Sequence, residues 1–275
     1  EMKLDHLNIE PTNKCQLNCK WCGDNKTRPT GDIKLRDVKE ILEQAKEINP
    51  NCEIRFFLSG EPLLHPLIDQ LCVMAKTVGF PRILIHTNGV ALNRELSKRL
   101  VNSGLTHISF SVDGRNREEY EKIRGPHLSD VLWNIYQFGV VNARKVHTTI
   151  QCIIPYPSPL KIPKHIEHFK NYNIVNDIFV RWPHNWDVDG SVKESQPEKF
   201  PIPCGFLEDS LPLYWNGDCA VCCADLNGRY ILGNVFKDGL KELIKRRDKL
   251  AEKQKRGESI PVCDGCERYE TMPKR

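Results

Sequence analysis

Cys15, Cys19 and Cys22 stand in the spacing C-x-x-x-C-x-x-C near the start of the 275-residue chain. Three thiolates on one short loop hold three irons of a 4Fe–4S cube and leave the fourth iron open, as a catalytic zinc keeps one position open. An open iron binds something that is not protein. The rival chemistry is structural zinc, which takes four ligands, often from two C-x-x-C pairs. A lone triplet with no fourth ligand nearby suits zinc poorly. Six more cysteines fall within the 63 residues from Cys204 to Cys266, including the run Cys219-Ala-Val-Cys222-Cys223 and the pair Cys263-Asp-Gly-Cys266.

Between these groups lie short polar signatures. They are Ser59-Gly60-Glu61-Pro62, Thr87-Asn88-Gly89, Ser111-Val112-Asp113-Gly114, and Arg124 in Tyr120-Glu-Lys-Ile-Arg124-Gly125. Taken singly, Gly-Glu-Pro, Asn-Gly and Asp-Gly are turn chemistry. Set after a cysteine triplet that follows an extended stretch, Asp5 to Pro11, and has Trp21 before its last cysteine, they resemble the radical S-adenosylmethionine (SAM) superfamily. The resemblance implies that the open iron chelates the amino and carboxylate groups of SAM. It makes Trp21, Gly60, Glu61, Asn88, Ser111 and Arg124 the cofactor-binding residues. Ser59 departs from the family's Gly-Gly-Glu pattern at its first position.

Downstream, Cys204, Gly217, Cys222 and the C-x-x-C pair resemble the auxiliary-cluster domain called SPASM, or its shortened form called twitch. On that resemblance Cys204, Cys222, Cys263 and Cys266 ligate a second 4Fe–4S cluster, although Cys219 or Cys223 stands close enough to replace Cys222. Nine residues follow Cys266 and none is cysteine, which suits the one-cluster form. A closed cluster passes electrons.

The family's chemistry is reductive cleavage of SAM to a 5′-deoxyadenosyl radical, followed by hydrogen-atom abstraction from the substrate. The one-cluster form resembles 2-deoxy-scyllo-inosamine dehydrogenase and related sugar and aminocyclitol dehydrogenases and epimerases. It implies a small polar substrate and oxidation of an alcohol to a ketone, or epimerisation. Epimerisation needs a thiol donor, for which Cys219, Cys223 and Cys152 are candidates. Arg181, His184, Asn185, Trp186, Asp187 and Asp189 crowd one segment. Arg181 is the candidate catalytic group there, and His184, Asn185 and Asp187 are candidate substrate contacts. Modification of a ribosomally made peptide is the alternative, and a non-catalytic iron–sulfur or zinc scaffold is the alternative of another class.

These residues need a frame to hold them. Short β-rich runs occur at His6–Glu10, Glu53–Leu58, Arg82–His86, His107–Val112, His147–Ile154 and Asp177–Arg181, separated by segments with helical apolar spacing. Six β/α repeats in series predict a parallel sheet with right-handed crossovers. Six are too few for an eight-stranded barrel, so the expected class is α/β, a partial (β/α)6 TIM-like barrel over residues 1–182. Residues 183–275 are expected to form a substrate loop and a small Cys-rich module. The polar signatures follow strand ends, where sites in such sheets lie.

Composition sets outer limits. Forty basic against 36 acidic residues leave a net charge of +4, too slight to imply nucleic acid. No apolar run approaches the ~18 residues of a membrane span. Twelve cysteines grouped as metal-type triplets and pairs point to a reducing cytoplasm. Lys241 to Arg256 carries eight basic and three acidic residues. It is expected to be a helix with a wet basic face that turns Leu240, Leu243, Ile244 and Leu250 inward. Such a face suits an acidic electron donor of flavodoxin or ferredoxin type.

Overall fold

The computed structural model describes residues 2–22, 27–183, 204–264 and 266. Six strands alternate with helices in its first part: β1 (His6–Ile9), α1 (Leu35–Ile48), β2 (Glu53–Phe56), α2 (Ile68–Val78), β3 (Ile83–Thr87), α3 (Arg94–Asn102), β4 (His107–Ser111), α4 (Arg117–Arg124), α5 (Leu128–Asn142), β5 (His147–Ile153), α6 (Lys164–Asn171) and β6 (Asp177–Arg181). Each of these strands pairs in parallel with its predecessor. This is the partial (β/α)6 TIM-like barrel that the repeat pattern predicts.

Alternation along each strand separates two environments. Leu7, Ile9, Ile54, Phe56, Ile83, Ile85, Ile108, Phe110 and Ile150 are buried on one face. They pack with Val38, Ile41, Leu42, Leu71, Ala75, Leu100, Val131, Ile135 and Phe138 of the covering helices in one continuous core. The other face carries Asn8, Arg55, His86, Ser109, Ser111, Thr149, Gln151 and Arg181, with Leu84 and Phe179 interspersed at the same register positions. An apolar layer on one side and a row of hydrogen-bonding groups on the other is what a site-bearing barrel requires.

The C-terminal part contains α7 (Gly205–Asp209), β7 (Ser210–Leu213), β8 (Asp218–Ala220), β9 (Ile231–Asn234), α8 (Val235–Asp238), α9 (Leu240–Lys255) and α10 (Pro261–Asp264). It does not stand apart. β7 pairs in parallel with β1 from His6↔Ser210 to Ile9↔Leu213, and the whole sheet runs β6-β5-β4-β3-β2-β1-β7-β8-β9. Leu211, Leu213, Val235, Leu240, Leu243 and Ile244 join the barrel's core.

The basic helix forms as expected, with Leu250 packed against a second apolar cluster, but for one residue. Leu240, Leu243 and Ile244 do turn inward, but so does Arg247, 1% exposed, whose Nη2 donates to the Lys3 carbonyl at 2.6 Å. Lys241 pairs with Glu47, Arg246 with Asp238 and Glu242, Lys255 with Glu252, and Arg256 with Glu258. These pairs lie on the exposed side of the helix.

Candidate active site

The cysteine loop leaves the end of β1 and is held by neighbours on three sides. Asn13 donates to Pro29 O at 2.9 Å and accepts from Gly31 N at 2.9 Å. Glu61 N donates to Lys14 O at 2.7 Å, and Lys20 N to Ile123 O at 2.9 Å. Trp21, 6% exposed, packs with Ile123 and Ile153. Its ring therefore anchors the loop to α4 and β5.

Cys15 and Cys19 are half-buried and Cys22 is exposed, all three unbridged. Burial pushes the Cys15 thiol up to about 11, against the backbone N–H of Leu17. Donors face the sulfurs: Leu17 N lies 3.5 Å and Asn88 Nδ2 3.8 Å from Cys15 Sγ, and Arg124 Nη1 lies 3.8 Å from Cys19 Sγ. Amide and guanidinium N–H groups aimed at thiolates are what an anionic cluster needs from its surroundings. The residues present fit a 4Fe–4S cluster held by Cys15, Cys19 and Cys22.

The turn after β2 reaches close to this loop. Gly60 has φ +77°, and a Cβ there would lie 2.5 Å from the Thr12 carbonyl oxygen, so only glycine allows the two backbones to meet. Glu61 is 2% exposed, and its carboxylate is already engaged. Oε1 accepts from Leu63 N at 3.0 Å and Thr87 Oγ1 at 2.5 Å, and Oε2 from Asn88 N at 2.7 Å. Burial pushes its carboxyl above the usual range, and these donors oppose that shift. The Glu61 carboxylate is thus a staple between the turns after β2 and β3.

Arg124 and Asp113 form a largely buried pair, Nε to Oδ2 at 2.6 Å, and Asp113 Oδ1 accepts from Ile153 N at 2.8 Å. Ser111 Oγ lies 2.6 Å from Nε2 of His86. His86 was not singled out by any motif, although it follows Ile85 on β3, one step off the buried alternation of Ile83 and Ile85, and so lies on the polar face. Its pKa is lowered to about 3, first by burial and then by the charges of Arg124 and Arg181. At neutral pH the ring is uncharged, so it is able to accept from, or donate to, the Ser111 hydroxyl. Arg181 ends β6, and its Nε and Nη2 meet the side-chain amide oxygen of Gln151 in the orientation that satisfies both groups. His184, Asn185, Trp186, Asp187 and Asp189 lie outside the described residues.

In the second group, Cys204, Cys222 and Cys263 pack against one apolar cluster of Leu207, Val221, Ala251, Ile260 and Val262. Gln254 bridges two of them, accepting from Cys204 N at 2.7 Å and donating to Cys263 Sγ at 3.7 Å. Ala224 N lies 3.4 Å from Cys222 Sγ, and Cys266 N donates to Cys263 O at 3.0 Å. This thiol set fits a second 4Fe–4S cluster. Cys219 belongs elsewhere. It is fully buried in the main core, and burial raises its thiol strongly. Cys152 is likewise fully buried, with Sγ 3.6 Å from Gly114 O. Both sulfurs are sealed from the surface, which weighs against a thiol donor at Cys219 or Cys152. Cys223 is half-buried.

Comparison with known proteins agrees with this geometry. A family profile described as the Radical SAM superfamily matches residues 9–150, and one described as an iron–sulfur cluster-binding domain, SPASM, matches residues 204–267. The 7,8-dihydro-6-hydroxymethylpterin dimethyltransferase of Methanocaldococcus jannaschii is 31% identical over 152 residues, 54% of this chain and 29% of that protein. The chain spans about a third of the length of the curated relatives it matches. Among solved structures, BtrN in complex with AdoMet and 2-DOIA aligns with a TM-score of 0.66 at 16% identity, covering 92% of this chain and 88% of that one. Streptococcus suis SuiB bound to precursor peptide SuiA aligns with a TM-score of 0.73 at 17% identity, covering 98% of this chain and 71% of that one. At these identities the structures share the fold alone.

Proposed function

The chain belongs to the Radical SAM superfamily, carries an iron–sulfur cluster-binding domain behind its barrel, and from that premise we propose that it oxidises a small polar substrate of sugar or aminocyclitol type. When bound, the N-terminal 4Fe–4S cluster and SAM supply one-electron chemistry that removes a hydrogen atom from an unactivated C–H bond. The observation that carries the substrate class is the polar row inside the barrel. His86, Ser109, Ser111, Thr149, Gln151 and Arg181 offer hydroxyl, amide, imidazole and guanidinium groups from four neighbouring strands. A polyol or amino alcohol can exchange hydrogen bonds with the His86–Ser111 and Gln151–Arg181 pairs and with Ser109 and Thr149, whereas an apolar substrate offers these groups nothing.

Within this reading Arg124 and Asn88 orient the cysteine loop, and Gly60 with Glu61 shapes the turn that receives the methionine end of SAM. Neutral His86 holds the Ser111 hydroxyl. Cys204, Cys222, Cys263 and Cys266 would hold the auxiliary cluster, which would supply an acceptor for the substrate's second electron. Cys219 and Cys152 are sealed in the core, which leaves half-buried Cys223 as the remaining thiol candidate for epimerisation. Electrons enter from a flavodoxin- or ferredoxin-type donor.

The test is anaerobic incubation of cluster-loaded protein with SAM, a reductant and a panel of aminocyclitols and sugars. The expected result is 5′-deoxyadenosine together with a product lighter by one hydrogen pair. SAM cleavage with every panel member unchanged would sink the substrate class.

A second reading, modification of a peptide, has its own support. The SuiB alignment has the higher TM-score, 0.73. Phe179, at an inward register position of β6, is 59% exposed, a contact suited to a side chain larger than a cyclitol. A precursor-like peptide in the same assay separates the two.

A further inference from the structure

Ser59 stands where the superfamily's motif has glycine, and it is 3% exposed. Its hydroxyl donates to Glu10 Oε1 and accepts from Arg28 Nη2 at 2.7 Å. Arg28 also holds Glu10 at both carboxylate oxygens, Nη1 to Oε2 at 3.0 Å and Nη2 to Oε1 at 2.6 Å. Glu10 is fully buried at the end of β1 and accepts a further bond from Trp215 N at 3.1 Å. From there the contacts run into the auxiliary module. Arg28 Nε donates to Leu226 O at 2.8 Å, and its guanidinium lies 3.7 Å from the centre of the Tyr214 ring. The neighbouring Thr27 Oγ1 donates to Asn227 Oδ1 at 2.9 Å.

A hydroxyl is suited to this corner because it gives one proton and receives another. It donates to the carboxylate and accepts from the guanidinium, so all three groups are satisfied together. Glycine or alanine has no atom for either bond, and buried charges tolerate missing partners poorly. We propose that Ser59 is a positioning residue that ties the SAM-receiving turn to the auxiliary iron–sulfur module through Glu10 and Arg28. It fixes the turn against a network anchored on both modules, so the backbone at Gly60 holds one position relative to the cysteine loop. This inference rests on the reading above that the Gly60–Glu61 turn receives SAM.

The experiment compares cluster-loaded wild type with Ser59→Ala, Ser59→Gly, Ser59→Thr, Arg28→Lys and Gly60→Ala. Anaerobic SAM binding and the electron paramagnetic resonance signal of the reduced, SAM-loaded protein are measured at matched iron content. Ser59→Ala and Ser59→Gly are expected to weaken SAM binding about tenfold, the loss of one charge-assisted hydrogen bond, and to shift the signal. Ser59→Thr keeps the hydroxyl and is expected to keep both. Arg28→Lys is expected to give the same shift, and combining it with Ser59→Ala to add less than the sum. If Ser59→Ala and Ser59→Gly bind SAM with an unchanged signal while Gly60→Ala loses binding, the positioning role is wrong. If Gly60→Ala also binds normally, the assignment of the turn to SAM fails instead.

Discussion

At the scale of single residues, the site holds its polar groups in pre-formed pairs. Glu61 satisfies donors from two turns, and a glutamine there would set an amide NH2 against one of them. Glu61→Gln is therefore expected to lower stability by about 1–3 kcal/mol, the cost of a buried unsatisfied group, and to weaken SAM binding. Urea unfolding and equilibrium binding report the two effects. His86 gives a pH dependence with a definite sign. Its folded pKa is about 3, against about 6.5 for an unfolded histidine. Below about pH 6.5 the unfolded chain takes up a proton that the folded ring refuses, so stability falls as pH drops towards 3. Urea midpoints at pH 7 and pH 5 are expected to show this slope, and His86→Asn is expected to flatten it. Cys15, Cys19, Cys22 and Gly60 were legible because their types and spacing already state their chemistry. His86, Glu10 and Arg28 were not, since their partners lie far off in sequence and only the folded sheet brings them together.

At the scale of elements, the six barrel strands could be located to within a residue or two because β-rich runs alternated with amphipathic helices. β7 escaped notice for physical reasons. It is four residues long and contains Pro212, which argues against a central strand. Pairing with β8 begins only at Leu213, beyond that proline, so the missing N–H costs no ladder bond there. Its four residues are all buried, so it shows no alternation to detect. Leu211→Ala is expected to destabilise the protein by about 2–5 kcal/mol, the range for emptying a core site, measured as a shift in the urea midpoint. In α9 the abundance of lysine and arginine concealed one buried member, Arg247, which serves the carbonyls of Lys3 and Ser210.

At the scale of the whole molecule, two groups of thiols imply about eight irons per chain in the anaerobic, reconstituted protein, from two 4Fe–4S clusters. Cys222→Ala is expected to lower this to about four irons and leave SAM cleavage possible, whereas Cys219→Ala is expected to keep all of them. Iron analysis with absorbance spectroscopy decides both. The parallel ladder between β1 and β7 has one more consequence. No seam runs between the half of the chain that grips the first metal group and the half that grips the second. Heat or denaturant has to break the same hydrogen bonds to release either half, so both are expected to melt together. Amide exchange along His6–Ile9 and along Ser210–Leu213 should then slow and quicken in step, as within one cooperative unit.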